Sequence, residues 1–91
     1  MEFVIITGMS GAGKTGALHV LEDIGYYCVD NLPSSLLSTL YRLCLKSEDD
    51  SMKRVAVVVD VRGNEKFEEM CSQIEHFKTH YENVKVLFFD A

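Results

Sequence analysis

The sequence predicts an α/β protein built on a three-layer, P-loop NTPase-type parallel sheet of the kinase-like kind. Apolar runs and amphipathic segments alternate in the order β-α-β-α-β-α-β, which gives about four strands and three helices. The runs at Phe3–Ile6 and Val55–Val59 are continuously apolar, as expected of strands covered on both faces. The third observation is a phosphate-loop pattern at Gly8–Thr15, which follows the first strand and opens the first helix.

The first strand is predicted at Glu2–Thr7, because a short run rich in β-branched residues ends there at a glycine loop. A helix is expected from about Lys14 to Ile24, and Gly25 is a natural residue for its C-terminal end. The expected core stripe of this helix is Ala17, Leu18, Leu21 and Ile24.

The second strand is predicted at Tyr26–Asp30, an aromatic and β-branched run that Asn31-Leu32-Pro33 interrupts. Pro33 fits the first turn of a second helix, where its missing N–H leaves no bond unmade. The apolar stripe of this helix is expected to consist of Leu36, Leu37, Leu40, Leu43 and Cys44.

The charged segment Lys46–Arg54 is predicted to be a surface loop, and the third strand follows it at Val55–Val59 and ends at Asp60. Asn64 is placed to cap the third helix, and the fourth strand is predicted at Val84–Phe89. The stripe of the third helix is expected to be Phe67, Met70, Cys71, Ile74, Phe77 and Tyr81.

The composition excludes several classes of protein. The net charge is −5, whereas a nucleic-acid-binding domain usually carries a basic surplus, so contact with RNA or DNA is expected only outside residues 1–91. No stretch approaches the ~20 apolar residues that span a bilayer, and the N-terminus has no secretory signal. A cytoplasmic location without a membrane partner is therefore predicted. The cysteines Cys28, Cys44 and Cys71 are too few and too scattered for a disulfide framework, and we expect buried thiols.

The fourth predicted strand lies almost at the end of the chain, since only two residues follow Val84–Phe89. A parallel α/β domain seldom ends at its last core strand without a covering helix. We therefore expect residues 1–91 to be the N-terminal part of a P-loop nucleotide-binding domain, with the remainder of that domain and any C-terminal domain outside this chain.

The phosphate loop predicts a nucleotide site with magnesium. Its glycines let backbone N–H groups turn towards phosphate oxygens, and the helix that follows adds its partial positive charge. Lys14 would reach the β- and γ-phosphates, and the Thr15 hydroxyl would ligate Mg²⁺. The predicted nucleotide-binding residues of the loop are Gly8, Met9, Ser10, Gly11, Ala12, Gly13, Lys14 and Thr15.

A P-loop needs an acid for its magnesium, and Asp60 at the end of the third strand is the predicted second metal ligand beside Thr15. The segment Asp60-Val61-Arg62-Gly63 has the form Asp-x-x-Gly, in which the glycine N–H can approach a γ-phosphate. Arg62 would pair with phosphate or face solvent; the pattern does not choose between these.

Other polar residues have alternative interpretations. Asp30 and Asp90 end strands at the same predicted edge, where each can bind a substrate hydroxyl, assist the metal or serve a purely structural role such as a helix cap. His76 and His80 have the spacing of a metal pair on a helix, but no third ligand is apparent and a solvated face is favoured. His19 is expected on the surface.

Four segments of this chain resemble the N-terminal P-loop domain of the RapZ/YvcJ family. The resemblance covers nearly the whole chain, and the run Cys-Val-Asp-Asn-Leu-Pro is more specific than a P-loop. The segments are Gly8–Thr15, Leu21–Pro33, Val58–Arg62 and Leu87–Ala91.

The resemblance implies nucleotide binding, with weak ATPase and GTPase activity in the full-length protein, and leaves hydrolysis by residues 1–91 open. It carries the P-loop role to Gly8–Thr15 and a second segment, used for GTP, to Asp60–Gly63. Some members deliver a regulatory RNA to a ribonuclease and sense an amino-sugar phosphate, which are tasks of the C-terminal domain. The family more often has Ser at the position of Thr15, and either hydroxyl suits magnesium. Its arginine-rich segment after the fourth strand lies outside this chain.

Three functions fit these observations. The first is a regulatory domain that binds ATP or GTP and hydrolyses it slowly. The second is a small-molecule kinase, in which Asp30 would orient an acceptor hydroxyl. The third is a non-enzymatic interaction module whose nucleotide acts as a switch. The sequence has no Asn-Lys-x-Asp motif for guanine, so the choice of ATP or GTP is open, as is assembly into a homo-oligomer.

Overall fold

The computed structural model describes residues 1–8, 12–59, 67–81 and 83–89, with residues 12 and 89 described by their backbone alone. The strands in this part are β1 (Glu2–Gly8), β2 (Tyr27–Val29), β3 (Arg54–Val58) and β4 (Val84–Phe89). The α-helices there are α1 (Ala12–Asp23), α2 (Leu37–Lys46) and α3 (Phe67–His80). Short 3-10 turns lie at Ser34–Leu36 and Asp50–Met52.

The four described strands form one parallel sheet in the order β2-β3-β1-β4, which confirms the predicted α/β class. Pairing of β1 with β3 runs from Glu2 opposite Arg54 to Ile6 opposite Val58. On its other side β1 pairs with β4 along its length, up to Gly8. The strand that carries the P-loop pattern is therefore central in this sheet.

Helices cover both faces of the sheet, as the three-layer prediction requires. Leu18 of α1 packs on one face against the side chains of Val4 and Ile6. Helices α2 and α3 pack on the other face, against Phe3 and Ile5. Right-handed crossovers explain this division, because the step from β1 to β2 runs across the sheet in the opposite direction to the two later steps.

An aromatic cluster fills the layer under α2 and α3. Phe3 on β1 contacts Tyr41 of α2 edge-on and Phe77 of α3, with ring centroids 5.3 and 5.6 Å apart. Tyr81 closes the group, 4.4 Å from Tyr41 and 4.7 Å from Phe77 between centroids. Each such pair contributes about 0.5–1.5 kcal/mol beyond the area it buries, so this cluster joins three elements that are distant in sequence.

The structure corrects several details of the predicted stripes. Ile24, Leu36 and Leu43 are exposed rather than buried, with 57%, 46% and 61% of their surfaces accessible. In α2 the buried residues are Leu37, Tyr41 and Cys44. The predicted stripe included every leucine at a compatible spacing, whereas Leu36 ends a 3-10 turn and the core admits the Tyr41 ring instead.

Element boundaries also differ from the predictions. Helix α1 begins at Ala12, two residues before the predicted start, and β2 is only three residues long. Pro33 precedes a 3-10 turn rather than sitting inside an α-helix. The predicted loop at 46–54 contains the second 3-10 turn, in which the Asp49 side chain accepts a hydrogen bond from the Ser51 N–H. Strand β4 has the predicted bounds.

Helix α1 ends in a motif that requires glycine. The Tyr26 N–H donates to the Leu21 carbonyl at 3.0 Å and the Gly25 N–H to the Glu22 carbonyl at 3.1 Å. Gly25 has a φ of +103°, a conformation that side chains rarely adopt. The guanidinium of Arg54 lies where a side chain at Gly25 would begin, 2.7 Å from an ideal Cβ. This turn directs the chain from α1 into β2.

We expect Phe77→Ala to lower the free energy of unfolding by about 3–5 kcal/mol, because it empties the centre of the aromatic cluster. Urea unfolding followed by far-ultraviolet circular dichroism measures this change. Leu43→Ala on the exposed face of α2 is the matched control and should change stability by less than about 1 kcal/mol. Equal effects of the two substitutions would contradict the assigned core.

Alanine substitutions at two glycines should have opposite signs. Gly25→Ala is expected to cost about 1–2 kcal/mol, because alanine is disfavoured at positive φ. Gly16 lies within α1, and no atom is near the methyl group that alanine would add there. Gly16→Ala should therefore stabilise the chain by about 0.5–1 kcal/mol. Thermal unfolding of both variants beside the wild type tests this. Stabilisation by Gly25→Ala would show that the turn is wrongly described.

Candidate functional site

The candidate site lies at the carboxyl edge of the sheet, where the adjacent strands β1 and β3 end. The P-loop pattern Gly8–Thr15 begins at the last residue of β1. Val59 is the first residue after β3, and Asp60 follows it. The Val59 N–H donates to the Ile6 carbonyl at 2.9 Å, so the segment that follows β3 is still hydrogen-bonded to β1 at this point. Ligands of open α/β sheets bind at this edge.

Lys14 is the most informative side chain of the described loop. Only 2% of its surface is accessible, although it carries a positive charge. Its Nζ donates a hydrogen bond to the Gly8 carbonyl at 3.1 Å, which draws the ammonium back over the start of the loop. The lysine of a P-loop acts on the β- and γ-phosphates, and its position here holds a cation at the edge from which the loop leaves β1.

The N-terminus of α1 adds to this positive potential. The first turn of α1 contains no acidic residue, so nothing within it offsets the partial positive charge of the helix end. Gly13 and Thr15 are exposed residues in this turn. Backbone N–H groups at such a helix start bind phosphate oxygens.

The structure brings Gly8, Lys14 and the first turn of α1 together at one edge. Several predicted residues lie outside the described part of the chain and stay predictions. They are Met9, Ser10, Gly11, the side chain of Ala12, the segment Asp60-Val61-Arg62-Gly63, the helix cap Asn64 and the strand end Asp90.

Asp30 lies at the same edge of the sheet, directly after β2, with its side chain exposed. The chain is fastened beside β3 two residues later, because the Leu32 N–H donates to the Val58 carbonyl at 2.8 Å. Asn31 between them has a φ of 64° and makes the turn. The N-cap of the following 3-10 turn is Pro33, with no side-chain capping bond, so Asp30 does not serve as its cap.

A concave feature that sequence reasoning missed lies on the side of the sheet covered by α2 and α3. It is a cleft of about 430 Å³ between the start of α2 and the outer side of α3. Its lining includes Ser34, Gln73, His76 and His80, and the Ser34 hydroxyl donates to the Gln73 side-chain oxygen. Its described lining residues include none of Gly8, Gly13, Lys14 and Thr15. No spacing in the sequence signals it, since it forms where two separate helices meet.

The paired histidines of α3 line that cleft with their rings in contact and tilted by 42°. The rings of His76 and His80 are 4.2 Å apart between centroids, and the His80 Nδ1 lies 3.2 Å from the His76 carbonyl. Within the described ranges, no group of three His, Cys, Asp or Glu side chains is placed to hold a metal. His19 is exposed, as predicted.

The cysteines are structural. Burial raises the pKa of the Cys44 thiol, and desolvation, aided by nearby glutamates, raises those of Cys28 and Cys71. A raised pKa keeps each thiol protonated and unreactive near neutral pH. All three are free, as expected, but the expectation of burial is correct only for Cys44, because Cys28 and Cys71 are partly exposed.

Among the described helices, none has the length and apolar character needed to cross a membrane. The sequence matches the model of the RapZ-like N-terminal domain over residues 1–91. It is 48% identical over 91 residues to a "Nucleotide-binding protein" of Alkaliphilus oremlandii and 47% identical to one of Finegoldia magna. A "Nucleotide-binding protein" of Clostridium perfringens is 45% identical.

Each of these matches covers 100% of this chain but only 31% or 32% of the relative. The chain thus spans about a third of the length of the curated relatives it matches. The parallel sheet with its P-loop edge agrees with these matches. The chain belongs to the RapZ-like family, in which it corresponds to the N-terminal domain.

Proposed function

We propose that this chain binds ATP or GTP together with Mg²⁺ through Gly8–Thr15. In the longer protein to which such a domain belongs, slow Mg²⁺-dependent hydrolysis would serve a regulatory role. The observation that carries this proposal is the burial of Lys14 against the Gly8 carbonyl, at the start of the phosphate-loop pattern. The names of the relatives, which state nucleotide binding, support it.

The position of Lys14 suits a bound phosphate, because it holds a cation at the start of the loop. Burying an ammonium group costs several kcal/mol even after relaxation. Lys14 also lies in the first turn of α1, where the helix dipole disfavours a cation. A triphosphate offsets both effects, because its oxygens pair with the ammonium and accept from the helix N–H groups. These interactions support the proposal that phosphate binds at the start of α1.

Magnesium fits the residues available at this edge. The hydroxyl of the exposed residue Thr15, in the first turn of α1, would be one ligand, and Asp60, two residues after the end of β3, would be the other. When bound, Mg²⁺ would neutralise charge on the phosphate oxygens. The neighbouring residues Val61, Arg62 and Gly63 would complete the nucleotide contacts, with the Gly63 N–H directed to the γ-phosphate.

The remaining parts of the proposal concern the whole protein. A cytoplasmic location accords with three free thiols. RNA or protein partners would be engaged outside residues 1–91, since this chain carries a net charge of −5. The regulatory role follows the family resemblance and applies to the longer protein.

A small-molecule kinase is the second candidate, and Asp30 is the observation that favours it. This exposed carboxylate follows β2 at the same edge as the P-loop, and the turn at Asn31 holds it beside β3. In such a position it can accept the proton of an acceptor hydroxyl. The two functions differ in whether the γ-phosphoryl group is transferred to water or to a metabolite.

Nucleotide binding should depend on the Lys14 ammonium. We expect Lys14→Met, which keeps most of the side-chain volume, to weaken binding of ATP and GTP by about 2 kcal/mol, or roughly thirtyfold. Isothermal titration calorimetry with Mg²⁺ present measures this, and the tighter nucleotide identifies the base preference. Repetition in EDTA should weaken wild-type binding.

Lys53→Ala is the matched control, because Lys53 is exposed and its ion pair with Asp50 lies on the surface, at 2.9 Å. It removes the same charge and should leave the affinity unchanged. If the wild type binds nucleotide and Lys14→Met binds it with the same affinity, the proposed site is contradicted. Circular dichroism of each variant separates loss of binding from loss of folding.

Product analysis distinguishes hydrolysis from kinase activity. For the regulatory function we expect slow release of inorganic phosphate from γ-labelled nucleotide, with Asp30→Asn causing less than a twofold change. For a kinase we expect a labelled metabolite from an acceptor panel, and Asp30→Asn should lower that rate by about 10²–10⁴-fold. A labelled acceptor product would replace the first proposal by the second.

A further inference from the structure

Thr7 is a buried polar residue at the end of the central strand. It comes immediately before Gly8, and only 1% of its surface is accessible. The other buried residues of β1 from Phe3 to Ile6 are apolar. A buried hydroxyl needs a hydrogen-bond partner, so its contacts show what this position does.

The Thr7 side chain contacts both ends of the segment that carries the predicted metal ligand. Its Oγ1 donates to the Val59 carbonyl at 2.9 Å, one residue before Asp60. The same oxygen lies 3.8 Å from the Sδ of Met70, in the first turn of α3. Residues 60–66 lie between Val59 and the start of α3, the helix to which Met70 belongs. Thr7 thus touches the residue before this segment and the helix after it.

This contact is distinct from ordinary strand pairing. Strand β3 ends at Val58, and the backbone bond from the Val59 N–H to the Ile6 carbonyl is a main-chain bond that any residue at position 7 permits. The bond from Thr7 to the Val59 carbonyl needs a side-chain hydroxyl. Valine, with nearly the same shape, would preserve the packing and leave this buried carbonyl without that donor.

We propose that Thr7 is a positioning residue that couples the phosphate loop to the magnesium-binding acid; this inference rests on the proposed function. The backbone of Thr7 leads directly into Gly8, and its hydroxyl fixes the main chain next to Asp60. The hydroxyl adds a side-chain bond to the main-chain bond from the Val59 N–H to the Ile6 carbonyl, and both hold the ends of β1 and β3 together. Small misplacements of a site group are costly, up to about 100-fold for 1 Å.

The test compares nucleotide affinity in Mg²⁺ with affinity in EDTA for the wild-type chain, Thr7→Val and Thr7→Ser. In the wild type, Mg²⁺ should strengthen binding. We expect the ratio of the affinity in Mg²⁺ to the affinity in EDTA, here called the magnesium gain, to be about tenfold smaller for Thr7→Val than for the wild type. The affinity of this variant in EDTA should stay within about twofold of the wild-type value. Thr7→Ser, which restores the hydroxyl, should recover most of the gain.

Two further variants calibrate the result. Thr15→Val removes a proposed metal ligand and should abolish the gain directly. Thr79→Val makes the same chemical change on α3, where the hydroxyl donates to the Glu75 carbonyl at 2.9 Å, and should leave the gain intact. If Thr7→Val fails to fold, Thr7→Cys keeps a side chain of similar size with a weaker donor and should lose part of the gain.

The outcomes separate this inference from the proposed function. A Thr7→Val chain that is less stable but keeps the full magnesium gain would show a merely structural role and overturn the inference alone. Loss of affinity by the same factor in Mg²⁺ and in EDTA would also overturn it, since the coupling would then be absent. A wild-type chain that binds neither nucleotide would overturn both.

Discussion

The position of β1 between β3 and β4 is the constraint on which the rest of this structure depends. The side chains from Phe3 to Thr7 are all at least 95% buried, so this strand cannot satisfy its backbone with water on either side. Parallel pairing with both neighbours satisfies it and fixes the register. Because all the strands point the same way, that register brings the end of β1 and the end of β3 to one edge. The phosphate-loop pattern begins at the end of β1, and the acid predicted to bind the metal comes shortly after the end of β3.

The sheet divides a small core into two unequal parts. The larger part holds the aromatic cluster under α2 and α3, whereas the side of α1 depends on Leu18 and a few short side chains of β1 and β3. Leu87 of β4 shares the α1 face, since it pairs with Ile6, yet 42% of its surface is accessible. The helix that begins at the phosphate loop is thus held by the smaller cluster. Elements with few buried contacts open most readily, and a bound nucleotide would stabilise this side.

Much of this arrangement can be predicted from the sequence, because it rests on local patterns. Continuous apolar runs predicted a parallel sheet, and β4 has the predicted bounds. Which leucines of α2 face inward was not predictable, because Leu36, Leu43 and Tyr41 all fit a helical period and only the neighbouring Phe3 and Phe77 rings decide among them. The hydrogen bond from Thr7 to the Val59 carbonyl depends on strand order, which no local pattern contains. The cleft lined by Ser34 and Gln73 likewise joins residues 39 positions apart.

The balance between overall and local charge explains why the proposed function needs magnesium. The chain carries a net charge of −5, which repels a triphosphate at long range. That repulsion is screened beyond about 8–10 Å at physiological salt, whereas contacts within the loop are not. At short range the Lys14 ammonium and the start of α1, with no acid in its first turn, present positive charge to the ligand. A single lysine and a helix end of about half a charge do not neutralise a triphosphate. A divalent cation would supply the difference, so under the proposed function Asp60 would strengthen nucleotide binding only when the metal is present.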